Sequence, residues 1–122
     1  MVGPPLSIIH GTPAIPLSPE VRAAYEDLRT KIQAGIDSTM DLATTQALNP
    51  WWAEVDQVLT KDDLYKLNAD TAAFNALLQQ INYTNAGLKT LQGQITSIAS
   101  HFAMAADIIA AIDKVLTLVP GV

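Results

Sequence analysis

Apolar residues recur along this chain at helical spacing, and no segment shows a comparable signal for the strict alternation of a half-buried strand. Ser18-Pro19-Glu20 has the grammar of a helix start. The serine can accept from a first-turn amide, the proline sits where no donor is missed, and the glutamate complements the helix dipole. Behind it Val21, Tyr25, Leu28, Ile32, Ile36, Ala43 and Ala47 fall on one stripe and predict a first helix over about 19–48. Asp27 and Lys31 stand four apart in the favourable order, worth roughly 0.3–0.5 kcal/mol. Asn49-Pro50 repeats the pattern of a capping residue followed by proline and predicts a second helix over about 50–59, holding Trp51, Trp52, Val55, Val58 and Leu59. Thr60 with Asp63 approximates a capping box, so the chain is expected to bend or restart there, with Asp62 and Lys66 paired at four residues.

The longest pattern follows. Counting by sevens from Leu67 gives Leu67, Phe74, Ile81, Leu88, Ile95, Phe102, Ile109 and Leu116, all apolar. A companion line of Leu77, Leu91, Ile98, Ala105, Ile112 and Val119 runs beside it, interrupted by Thr84. Two staggered apolar lines of this kind make a helix–helix seam. They predict a third helix over about 61–118, continuous or broken near Gly87, where Asn82, Thr84 and Asn85 supply turn-forming residues. The unbroken heptad phase favours continuity, because a loop has no reason to preserve phase. Pro120-Gly121 stops the pattern. The fold class expected is all-α, a helical bundle or coiled-coil-like assembly.

The start of the chain is different. Five of the seven prolines are Pro4, Pro5, Pro13, Pro16 and Pro19, and proline removes backbone donors and fixes φ, so residues 1–17 read as an extended arm ahead of one helical domain, 18–122. Leu6, Ile8, Ile9, Ile15 and Leu17 make that arm more apolar than a disordered tail usually is. It is expected to pack along a groove, its own or a neighbour's.

Composition changes the picture in one respect. The 122 residues are 49% hydrophobic and only 16% charged, against about 25% charged in a typical soluble domain. The deficit is local. Thirteen of the nineteen charged residues lie between Glu20 and Asp63, whereas 71–88 and 90–106 have none. Opposite the third apolar stripe stand Asn68, Asn75, Gln79, Asn82, Gln92, Gln94, Thr96, Ser97 and Ser100. Amides and hydroxyls hydrogen-bond without the desolvation cost an ion incurs on burial. Ala99, Ala103, Ala106 and Ala110 add a flat strip that a second helix can approach closely. The pattern points to a helix contacted on more than one side.

Candidate chemistry is sparse. A net charge of −5 argues against non-specific nucleic-acid binding, and the absence of cysteine excludes disulfides, thiolate zinc sites and a cysteine nucleophile. His10 and His101 have no second histidine at helical ligand spacing, and the Glu-x-x-His pattern of di-metal bundles is missing. No phosphate-binding glycine loop or nucleophile elbow occurs. No cofactor or catalytic residue is expected. Trp51 and Trp52, adjacent on a helix, must point in different directions, so one is expected to anchor the core and the other to lie at a partner surface or a membrane interface. Asn82-Tyr83-Thr84 matches the glycosylation sequon, but no secretion signal accompanies it.

No run of eighteen apolar residues and no basic leader is present, which fits a cytoplasmic or leaderless secreted protein. The nearest approach to a membrane span, 98–119, contains His101, Asp107, Asp113 and Lys114. The reading that follows is a non-enzymatic structural or interaction protein, a homo-oligomer or the partner of another helical protein, assembling through the 67–116 seam. The alternative is a membrane-active helical protein, such as a small pore-forming or translocator component.

Overall fold

The structure, a computed structural model, describes residues 15–97 and 104–119. Four helices account for nearly all of them: α1 (Pro19–Ser38), α2 (Leu42–Asn68), α3 (Thr71–Ser97) and α4 (Ala105–Leu118). The described residues contain no strand. The all-α expectation holds, with four helices in place of three.

Helix α1 starts as its sequence dictates. Ser18 Oγ accepts from the Val21 amide at 3.2 Å, with Pro19 in the first turn. Its end was not foreseen: the first helix stops at Ser38, ten residues before the predicted 48. There Ser38 Oγ and the Thr39 amide both donate to the Gly35 carbonyl, and Thr39 turns extended. Asp41 then caps α2, accepting from the Thr44 amide at 2.9 Å and the Thr44 hydroxyl at 2.6 Å. One side chain therefore satisfies a first-turn donor and also the hydroxyl of buried Thr44.

Neither Asn49-Pro50 nor Thr60 begins a helix. Pro50 lies inside α2, which continues unbroken to Asn68, so the expected second helix over 50–59 is the middle of a longer one. A proline in a helix interior forfeits one backbone bond and costs about 3 kcal/mol in a bare helix. Here Leu48, Val55, Val58 and Leu59 around it are buried, and that burial, at roughly 1.5–3 kcal/mol per side chain, holds the helix through the defect. The long third helix is also overturned. The chain breaks at Ala69, which adopts a left-handed conformation (φ 50°), and Asp70 restarts it by accepting from the Ala73 amide. At the far end the described part of α3 stops at Ser97 and α4 begins at Ala105. Gly87, the predicted breakpoint, is an ordinary interior residue of α3.

Each helix packs on the next, and α4 returns to α1, closing a four-helix ring. Side-chain pairs fix the directions. Arg22 with Asp62 and Arg29 with Asp56 set α1 antiparallel to α2; Lys61 with Gln80 and Tyr65 with Phe74 do the same for α2 and α3. The enclosed core includes Tyr25, Leu28, Ile32, Leu48, Val55, Leu77, Ile81, Leu88, Leu91, Ile95, Ile108 and Ile112, all fully buried.

Candidate interaction surface

The seam residues do not form one surface. Ile81, Leu88 and Ile95 are sealed in the bundle's own core. Ile109 and Leu116 are partly buried against that core from α4. Leu67, at the end of α2, is 80% exposed, and Phe74, in the first turn of α3, is 36% exposed. Phe102, Ala99 and Ala103 lie outside the described residues, as do His10, His101 and Ile98. Ala106 is exposed on α4. The heptad line is thus the inward stripe of α3, flanked by residues of α2 and α4. Its covering surface is supplied by the same chain.

The two tryptophans are both half-buried. Trp51 lies across Gly87 of α3, where an added Cβ would overlap the indole ring, and its ring stands 6.0 Å from that of Tyr83. Gly87 is therefore the hole that admits Trp51. Trp52 faces the other way and, with Arg29, Thr30, Gln33, Ala34 and Asp37, lines an open groove of about 380 Å³ between α1 and α2.

Three polar features were not foreseen. The first is Asp62, fully buried yet ionisable. Its Oδ2 accepts from Arg22 Nη1 at 2.7 Å and lies 2.9 Å from Lys66 Nζ, while Oδ1 accepts from the Leu17 amide at 2.8 Å. Arg22 also reaches Asp63 at 2.9 Å and Glu26 at 3.0 Å. Partial burial works against the Arg22 charge, but the hydrogen bonds to Asp62, Asp63 and Glu26 outweigh it and raise its pKa. The sequence signal was the Asp62/Lys66 spacing, which was visible; the burial was not.

The second feature is a diagonal hydrogen bond through the core. Tyr25 of α1 donates to Asn85 Oδ1 of α3 at 2.7 Å, with both side chains fully buried. Burial pushes the Tyr25 phenol well above its ordinary value, and the bond to Asn85 opposes this only in part. Asn85 Nδ2 has no hydrogen-bond partner. The third is a polar thread between α2 and α3: Lys61 donates to Gln80 at 2.8 Å, and Gln80 donates to Glu54 and Thr84, each at 2.9 Å. Each of these networks joins helices to one another. Among the described residues no group of three His, Cys, Asp or Glu side chains is placed to hold a metal ion.

What remains at the surface of α3 is unusual in composition. Gln79, Asn82, Tyr83, Ala86, Thr90 and Gln94 are all exposed on its outward side. Across the 27 residues of the helix, about 40 Å of length, Lys89 is the single charged side chain. The exposed faces of α1 and α2, by contrast, carry Glu20, Asp27, Asp37, Asp63 and Lys66. None of the described helices is long and apolar enough to cross a membrane. No protein-family model, no curated protein and no solved structure matches the chain.

Proposed function

We propose that this protein is a non-enzymatic interaction module that self-associates through the outward face of α3. The observation that carries the reading is the near absence of charge from a fully exposed helix face in a protein whose other helices are ordinarily charged. Interface cores are depleted of ionic side chains relative to the rest of a surface. Amides, hydroxyls and alanines can be covered by a second copy without stranding an ion away from water. The contact face so proposed is the opposite side of α3 from the seam expected at 67–116. The inward seam is occupied by the chain's own helices and cannot serve two partners at once.

Light scattering on a size-exclusion column tests the reading directly. The protein should elute as an oligomer at micromolar concentration, and the double variant Ala86→Arg/Thr90→Arg should elute as a monomer with unchanged helix content. A wild-type protein that is monomeric across that range overturns the proposal.

A further inference from the structure

The exposed face of α3 carries both a knob and a hole. Ala72, Ala76 and Tyr83 are spaced by four and seven residues, so they lie on one face of the helix. Tyr83 is 60% exposed, although its ring stands 6.0 Å from that of Trp51. Two to three turns nearer the start of α3, the same face opens into a hollow of about 300 Å³ between α2 and α3. Leu64, Ala72, Ala73 and Ala76 give it an apolar lining, and Asn68 and Asp70 add hydrogen-bond acceptors. Asp70 Oδ1 accepts from the Ala73 amide at 2.8 Å, and a carboxylate has room for further donors. Lys61, which also borders the hollow, donates to Gln80 at 2.8 Å.

The outward strip of α3 is too small to hold a stable dimer by itself. A helix of 27 residues is about 40 Å long and presents a strip about 10 Å wide, roughly 400 Å² per copy. Stable specific interfaces bury about 800 Å² per partner. The contact therefore also needs an adjoining helix, and α2 offers Leu64, 47% exposed, at the hollow. Tyrosine is among the residues that most often carry binding energy. Its apolar ring and polar tip match an apolar lining set with acceptors.

We propose that two copies pair about a two-fold axis beside Gln79, with their α3 helices antiparallel and Tyr83 of each seated in the hollow of the other. This rests on self-association through α3 and adds its symmetry, its register and its anchor. A two-fold contact is reciprocal, so one tyrosine entering one hollow entails the second. The α3 part of the hollow runs from Ala72 to Ala76, and midway between its centre and Tyr83 lie residues 78 and 79. Gln79 is exposed there, and its primary amide, both donor and acceptor, can bond to its own copy. The Tyr83 hydroxyl donates to Asn68 or Asp70, so its polar tip is not stranded. In this register residues 71–86 of the two helices overlap, a span with no Asp, Glu, Lys or Arg, so no ion of α3 is buried along it. Ala86 then faces Thr71 at the start of the other α3.

The chain has no cysteine, so single introduced cysteines report the register. Gln79→Cys and Ala86→Cys are made separately in the full chain and treated at micromolar concentration with a short bismaleimide. The two copies of position 79 adjoin, whereas the two copies of position 86 are about 22 Å apart along the helix axes. Gln79→Cys should give a covalent dimer and Ala86→Cys should not. Tyr83→Ala should raise the dimer dissociation constant by about thirtyfold or more. Ala72→Phe, which fills the hollow, should do the same, and circular dichroism should show both variants fully helical. Mixing these two variants should restore association, because the tyrosine of the second enters the open hollow of the first. A monomeric wild type overturns self-association and this inference with it. Oligomers in which Gln79→Cys does not link in preference to Ala86→Cys leave self-association standing and overturn the register. Unchanged affinity in Tyr83→Ala, or no recovery on mixing, overturns the tyrosine anchor.

Discussion

Tyr25 and Asn85 illustrate how a buried polar pair is held by the loss that follows from removing half of it. Tyr25→Phe leaves Asn85 with both its oxygen and its nitrogen unpartnered in the core. It should cost about 1–3 kcal/mol, the range for an orphaned buried polar group. The double variant Tyr25→Phe/Asn85→Leu removes both partners and should equal or exceed the wild type in stability. Urea denaturation of the two singles and the double checks this, and a double variant less stable than Tyr25→Phe would contradict it. The same tyrosine gives the protein an alkaline limit. Its folded pKa is raised, so the folded state keeps a proton that the unfolded chain releases near the ordinary value of 10.0. That contribution to stability is complete below pH 10 and is lost as pH rises through the folded pKa. The urea midpoint should therefore fall above pH 10, with a slope of up to about 1.4 kcal/mol per pH unit from this one group. Tyr25→Phe should show a flatter profile between pH 9 and pH 11.

At the scale of the helix, the two glycines of α3 make opposite predictions from the same substitution. Glycine in a helix interior costs roughly 0.5–1 kcal/mol relative to alanine. At Gly93 nothing lies near an added Cβ, so Gly93→Ala should stabilise the protein by about that amount. At Gly87 the new methyl would enter the space of the Trp51 ring, and Gly87→Ala should destabilise by about 1–3 kcal/mol in spite of the better propensity. Thermal denaturation monitored by helix content distinguishes the two, and a loss of Trp51–Tyr83 contact should accompany the second. The run of Asn82, Thr84, Asn85 and Gly87 looked like a turn because those residue types favour turns. In the bundle Thr84 and Asn85 are both buried: Thr84 donates to the Glu54 carbonyl of α2 at 3.5 Å, Asn85 accepts from Tyr25 of α1, and Gly87 makes room for an indole. Tertiary demands used turn-forming residues for packing.

For the whole molecule, the heptad line has changed owner. Leu28 and Ile95 are both fully buried in one core. Leu28→Asp and Ile95→Asp should therefore each unfold the protein, since either places an ion in that core without a partner. Circular dichroism should show loss of helix in both, whereas Ala86→Arg/Thr90→Arg keeps its helix and changes only the oligomeric state. An Ile95→Asp protein that stays helical but dissociates would return the seam to the role of an interface between copies. The charge networks act at this scale also. Asp62 joins the arm, α1 and α2 at a single carboxylate, and Gln80 joins Lys61 and Glu54 to α3. These contacts run between particular helices, whereas apolar stripes alone leave the choice of neighbour open.

Much of this architecture was legible in the residues. The helical class, the start of α1 at Ser18-Pro19, the Asp27–Lys31 and Asp62–Lys66 pairs, and the inward stripe of Ile81, Leu88 and Ile95 all follow from local rules. Periodicity, capping and i,i+4 spacing depend on neighbours within a turn or two, and a sequence displays those directly. The breaks at Thr39–Asp41 and Ala69–Asp70, the passage of α2 through Pro50 and the burial of Asp62 belong to the tertiary structure. A cap signal is worth about 1 kcal/mol, and the burial of several apolar side chains outweighs it. The seam shows the deeper limit. A stripe of apolar positions states that a helix must be covered, and is silent on whether the cover comes from the same chain or another, because the hydrophobic effect is non-directional. In this protein the connections at 39–41 and 69–70 fold the chain back on itself, and that folding back supplies the cover.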